Sequence, residues 1–271
     1  MTLHDLGKSF DRALFLSFNR KKLLFVFLTL VLCGILIVFG RAIAFDTSKW
    51  VAMSLVFLPI LLSSGILLSL GVLLIRVYRS EVKNIRVDYK KIIKSSSELI
   101  LGTAYLSMPP ILVYLFLWIV LGIFMLLKEI PHIGSFISIV LSFAPFLLIL
   151  GSLLLVLFNL VVLFFVSPLI ALKRTKRFKL WFFLLQGFKE GKFANLVSFF
   201  VALFPISFVV GVLSLAAVLT GGDFLETTHS LSIGLKWFFI MIPFCVVLAP
   251  CIVFFFNFAA ECYNFKQRKE R

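Results

Sequence analysis

Long uninterrupted runs of apolar residues alternate along this chain with short polar, mostly basic, segments. Six runs reach or approach the roughly 20 residues that a helix needs to cross the roughly 30 Å hydrocarbon layer. They are Leu23–Gly40, Val51–Ile75, Leu99–Leu127, Gly134–Leu172, Ala194–Thr220 and Trp237–Ala260, and none holds a Lys, Arg, Asp or Glu. A charge at the centre of a spanning helix costs about 2.5–3.5 kcal/mol, while each Leu or Phe returns only about 0.3–0.6 kcal/mol. Six charge-free runs therefore predict six transmembrane helices and an all-α, polytopic membrane protein, with residues 1–271 forming one integral membrane domain.

The fourth run is the ambiguous one. At about 1.5 Å per residue its 39 residues outrun an upright crossing, and it contains Pro145 and the pair Ser167–Pro168. It is either one tilted helix that bends near Pro145 and ends at Ser167, or two half-helices returning to the same side. The distribution of charge favours one crossing. Of the 27 Lys and Arg residues, 23 flank the runs on one side if the runs alternate in direction, leaving Arg41, Lys49, Lys128 and Lys236 for the other. Basic loops stay in the cytoplasm, so the expected topology is N-in and C-in, in a bacterial inner membrane. The first run is longer than a signal-peptide core, follows a 22-residue lead and ends at Arg41 rather than at a cleavage site, so it is expected to remain as a helix.

Each odd-numbered run follows a basic segment with apolar residues at helical spacing: Leu3, Leu6, Phe10 and Leu14; Val82, Ile85, Tyr89, Ile92 and Ile93; Phe178, Trp181, Phe182 and Leu185. This is the composition of helices lying in the interface against anionic lipid. The second segment equally suits a cytoplasmic extension of its span, since no Gly or Pro separates it from Leu99. Lys83, Arg86, Lys90, Lys173, Arg174, Lys176 and Arg177 are the candidate headgroup contacts. The pattern also suggests three units of interfacial helix plus membrane hairpin, at 1–78, 79–172 and 173–263.

Composition agrees with the runs. The chain is 62% hydrophobic and 14% charged, against roughly 45–50% and about 25% in soluble domains. A net charge of +15 would suggest nucleic-acid binding in a soluble protein, but here it marks topology and no nucleic-acid partner is expected. Cys33, Cys245 and Cys251 fall inside apolar runs and Cys262 beside the basic tail. None has the spacing of a disulfide frame or a zinc site.

Eight prolines lie in the apolar runs. They are read either as ordinary kinks or as broken helices around a midplane substrate site, with Pro109, Pro110, Pro243 and Pro250 as the positions of interest. Intramembrane polarity is limited to Ser63, Ser64, Thr103, Ser142, Ser152, Asn159, Ser207 and Asn257. Such groups ordinarily hold helices together by hydrogen bonds, and Asn159 with Asn257 are candidates for a polar contact inside the bundle. The absence of ionisable residues within the runs weakens any case for proton or sodium coupling. Protease, hydrolase and phosphate-loop motifs are absent. Asp223, Glu226 and His229 share one loop, but a solvated loop explains them, and no catalytic residue, cofactor or metal site is predicted.

The stretches Ser167-Pro168-Leu169-Ile170-Ala171 and Leu184-Leu185-Gln186-Gly187-Phe188-Lys189-Glu190-Gly191-Lys192, with the ending Ala259-Ala260-Glu261-Cys262-Tyr263-Asn264-Phe265-Lys266, resemble a loose group of uncharacterised six-helix bacterial membrane proteins. These are similar to the membrane domain attached to some glycerophosphodiester phosphodiesterases. The resemblance implies the helix count and a Gly-containing cytoplasmic segment between the fourth and fifth spans. This chain lacks the soluble phosphodiesterase domain and its acidic and His ligands, so that activity is not carried over. The sequence points to a non-enzymatic scaffold or accessory subunit, whose basic cytoplasmic face contacts anionic lipid and an unidentified membrane-protein partner. The alternative is a small permease or lipid-handling transporter with a cavity between Pro-kinked helices.

Overall fold

A computed structural model describes residues 3–44, 49–84, 92–96, 102–103, 105–127, 134–173, 192–221 and 230–269. An amphipathic helix α1 (Leu3–Phe15) passes through a 3-10 turn (Leu16–Phe18) into α2 (Arg20–Ile43). Five further long helices follow: α3 (Lys49–Val82), α4 (Met108–Leu127), α5 (Gly134–Lys173), α6 (Lys192–Gly221) and α7 (Ser230–Lys269). Helices α2 to α7 are long and apolar enough to cross a membrane. They satisfy their backbone polar groups internally, as hydrocarbon requires, and the protein is an all-α, six-span membrane protein.

The fourth apolar run is one continuous helix. It passes through both Pro145 and Ser167–Pro168 to Lys173, so neither a pair of half-helices nor a stop at Ser167 is present. Pro59, Pro205, Pro243 and Pro250 likewise lie inside unbroken helices. Pro109 and Pro110 instead open α4, directly after a 3-10 turn at Tyr105–Ser107. Proline at the first positions of a helix removes donors that have no intrahelical acceptor anyway and presets the helical φ.

Helix α3 is central. Buried residues make up 72% of its most apolar stretch, against 17% to 33% for the other spans. It packs on α2, α5 and α7, while α7 also lies along α2, α6 and α1. The main core sits in the half of the bundle where α1 and the end of α7 meet. There Leu68, Leu74, Ile75 and Tyr78 of α3 face Phe164 and Val166 of α5, Phe199 of α6, and the fully buried stretch Val253–Ala260 of α7. Phe164 stands edge-on to Phe199 and Phe255 at ring separations of 5.6 and 5.5 Å, tying α5, α6 and α7 together. A smaller cluster of Leu61, Ile111 and Tyr114 joins α3 to α4.

Three glycines mark close helix approaches. A Cβ at Gly34 would overlap Met241, one at Gly40 would meet the Leu55 carbonyl and Pro59, and one at Gly71 would overlap the Phe256 ring. Helix α3 ends at a turn in which Asn84 adopts φ 53° and its N–H donates to the Glu81 carbonyl at 2.9 Å. Asparagine is tolerated in this left-handed geometry and closes helices as glycine does.

Candidate functional site

Two features of the bundle carry polar or unfilled structure: a polar layer at the end where α1 meets the last turns of α7, and a cavity nearer mid-depth. The layer begins with α1. Its buried stripe is Ser9, Ala13 and, one turn on, Ser17, with Phe10 edge-on against Phe254 at 5.0 Å. The apolar spacing groups Phe10 with Leu14, but Phe10 packs on α7 whereas Leu14 is exposed, as are Phe15 (84%) and Phe18 (63%). The small residues at positions 9, 13 and 17 let α1 approach α7 closely, which rotates Leu14 outward. Lys8, Arg12, Arg20 and Lys21, which flank these residues in sequence, are exposed as well.

Below α1, Asn257 donates from Nδ2 to Ser17 Oγ at 3.2 Å and to the Ala13 carbonyl at 3.4 Å. Tyr78 donates its hydroxyl to Glu261 Oε1 at 2.7 Å, and Arg12 reaches the same carboxylate at 3.8 Å. The latter pair is largely exposed on the Arg side and adds little. Lys22, which the sequence places among the solvated basic flank, is buried instead. Its ammonium pairs with Glu81 Oε2, reaches the Leu16 carbonyl at 3.4 Å and lies 5.5 Å from the Tyr78 ring centre. Asn19 caps α2, accepting from the Lys21 N–H at 3.1 Å, and donates to Glu81 Oε1 at 3.1 Å. This network latches α1 and the start of α2 onto α3 and α7. Sequence reasoning missed Glu81, Glu261 and Tyr78. The available signal was an acidic residue in an otherwise basic segment, hard against the edge of a span.

The hydroxyls inside the spans mostly bond their own helix rather than a neighbour: Thr29 to Phe25 O, Ser64 to Leu61 O and Ser152 to Leu148 O, at 2.6–3.0 Å. Ser69 and Thr103, 3.3 Å apart, form a contact between segments. At the opposite end of the bundle the Arg41 guanidinium lies 4.7 Å from the Trp237 ring centre, a cation–π contact.

The cavity has a volume of about 360 Å³ and lies between α2, α3, α5 and α7. Cys33, Gly34 and Val38 form one wall, Ile60 to Leu67 another, Asn159 and Leu163 a third, and Met241 and Cys245 a fourth. It is overwhelmingly apolar. Asn159 is 4% exposed and its Nδ2 has no hydrogen-bond partner. The two asparagines are therefore not in contact: Asn257 belongs to the polar layer and Asn159 to the cavity wall. Pro250 and the Pro109–Pro110 pair are not among the lining residues, while Pro243 lies in α7 between Met241 and Phe244, which are.

Each asparagine has one buried amide atom without a partner, Nδ2 of Asn159 and Oδ1 of Asn257, but only Asn257 makes bonds with its other atom that a substitution would lose. Asn159→Leu removes an amide whose donor is unpaired and buried, a desolvation cost of about 1–3 kcal/mol, and is expected to raise the midpoint of thermal unfolding in detergent. Asn257→Leu loses two bonds, leaves the Ser17 hydroxyl without that neighbour, and is expected to lower the midpoint by an amount equivalent to about 1–2 kcal/mol.

Of the predicted headgroup contacts, Lys83 is exposed in the turn that ends α3 and Lys173 is the last residue of α5. Arg86, Lys90, Arg174, Lys176 and Arg177 lie outside the described residues, as does the third basic segment and the Asp223–His229 loop. All four cysteines are free thiols, and among the described residues no group of three or more His, Cys, Asp or Glu could hold a metal ion. No protein-family model, curated protein or solved structure matches the chain, so the reading of the site rests on its own geometry.

Proposed function

We propose that this protein is a non-enzymatic, multi-pass scaffold or accessory subunit of a bacterial inner membrane, oriented N-in and C-in. Its basic end binds anionic phospholipid headgroups and presents that face to a membrane-protein partner. The observation that carries the reading is α1 with its 3-10 turn: exposed Leu14, Phe15 and Phe18 flanked in sequence by exposed Lys8, Arg12, Arg20 and Lys21. Aromatic rings seated at the acyl boundary with cations at headgroup level are the chemistry of an interfacial anchor on an anionic leaflet. The latch to α3 and α7 supports it by holding that anchor rigidly against the bundle.

The test is retention of phosphatidylglycerol against phosphatidylethanolamine on protein purified from native membrane, read by native mass spectrometry. In Lys8→Ser/Lys21→Ser, affinity for phosphatidylglycerol is expected to fall roughly fivefold for each charge removed, with phosphatidylethanolamine unaffected. An unchanged anionic fraction would overturn the headgroup reading. Orientation is tested separately: a single cysteine introduced at position 86 or 176 should resist impermeant thiol reagents on intact cells, and modification there would reverse the topology.

A further inference from the structure

The cavity between α2, α3, α5 and α7 supports an inference that does not depend on the headgroup reading. Its size and chemistry suit a hydrocarbon chain better than a water-filled space or an inserted helix. A bound water needs 2–4 polar partners. The Ser63 hydroxyl and the Asn159 amide donor, both unpartnered, can bind a water at the wall, but the rest of the lining is almost wholly apolar and too poor in partners for a water-filled space of this volume. A helix of a second copy or partner is about 10–12 Å wide, so even two turns displace roughly 1,000 Å³, well above the 360 Å³ present.

A hydrocarbon chain satisfies both limits. At about 30 Å³ for each methylene-sized group, the share a water takes in the liquid, the volume holds about a dozen such groups, most of one acyl chain. The position suits it too. Asn159 is the midpoint of the spanning stretch Phe146–Leu172, so the cavity reaches the depth at which acyl chains lie, and it is open along part of its wall. We propose that this cavity is a binding site for one acyl chain of a membrane phospholipid.

The test uses the full-length protein in nanodiscs of phosphatidylglycerol carrying a diazirine in the distal half of one acyl chain. After irradiation, adducts are mapped to residues by mass spectrometry. The proposal expects adducts at cavity positions such as Cys33, Val38 and Met241, alongside the lipid-facing Leu154 and Phe204, which are exposed on the outside of the bundle. Cys245→Trp takes up about a third of the cavity and should cut the cavity adducts at least fivefold while leaving those at Phe204 unchanged. Cys33→Phe narrows it from the opposite wall and serves if the first variant does not fold. Adducts confined to the outer surface of the wild-type protein would overturn the proposal, as would cavity adducts that survive both substitutions. So would cavity labelling by a diazirine fatty acid but not by the phospholipid, since the occupant would then be a free acid.

Discussion

Lys22→Met is expected to destabilise the protein by about 3–5 kcal/mol, measured by denaturant or thermal unfolding in one fixed detergent. The Lys22 side chain is 0% exposed and the Glu81 carboxylate 11% exposed. Removing the ammonium leaves a buried carboxylate whose remaining contact is the Asn19 amide. Desolvation of that charge then has no Coulombic offset. Glu81→Gln is expected to cost a comparable amount, because it strands the ammonium against the Leu16 carbonyl and the Tyr78 ring. The double variant Lys22→Met/Glu81→Met should recover most of either loss, since well-packed apolar replacements of a buried pair are often neutral or stabilising. A loss below about 1 kcal/mol in both single variants, the range of exposed ion pairs, would mean that water reaches the pair.

Gly71→Leu is expected to cost about 3 kcal/mol or more, at the upper end of what overpacked cores lose. The position lies in the central helix, and the added Cβ overlaps the ring of Phe256, itself fully buried. The ring cannot yield, because Phe255 stands edge-on to it at 5.2 Å and the α7 stretch around it is buried throughout. Adding Phe256→Ala should restore much of the loss by opening the volume that the introduced side chain needs. Gly34→Ala provides the contrast: the atoms its Cβ meets belong to Met241, an unbranched chain that re-packs readily, so its penalty should be well below that of Gly71→Leu. Equal penalties at the two positions, or failure of the Phe256→Ala rescue, would show that the α3–α7 contact is not rigid.

The six spans were legible because hydrocarbon imposes a one-dimensional rule: charge-free runs of sufficient length must be helices. The fourth run shows where that rule stops. Length and proline content left one helix or two, and only the continuous Gly134–Lys173 helix decides it. Pro109–Pro110 carried a local signal that points the other way from a kink, since paired prolines ahead of an unbroken apolar run suit a helix start. Lys22 and Glu81 are 59 residues apart, and Tyr78 and Glu261 183. No periodicity within one helix says which neighbour it will face, so charges that read as a topological flank turn out to be partly a latch. The cavity was unreadable for a related reason. It belongs to no segment, only to the mismatch in shape of four helices, and Asn159 gave the one hint that its wall was unusual.

The pairing of α2 with α7 has a consequence for biosynthesis. Helices α2 and α7 share one of the broadest interfaces in the bundle, closed by Met241 against Gly34. Roughly 190 residues separate the end of α2 from the start of α7, so at about 5–20 residues per second the ribosome takes about 10–40 s to supply the partner. Through that interval α2 sits in the bilayer with the surface destined for α7 bathed in lipid or shielded by the insertion machinery. The fold can close only once α7 has been synthesised, which makes that helix the step that commits the bundle.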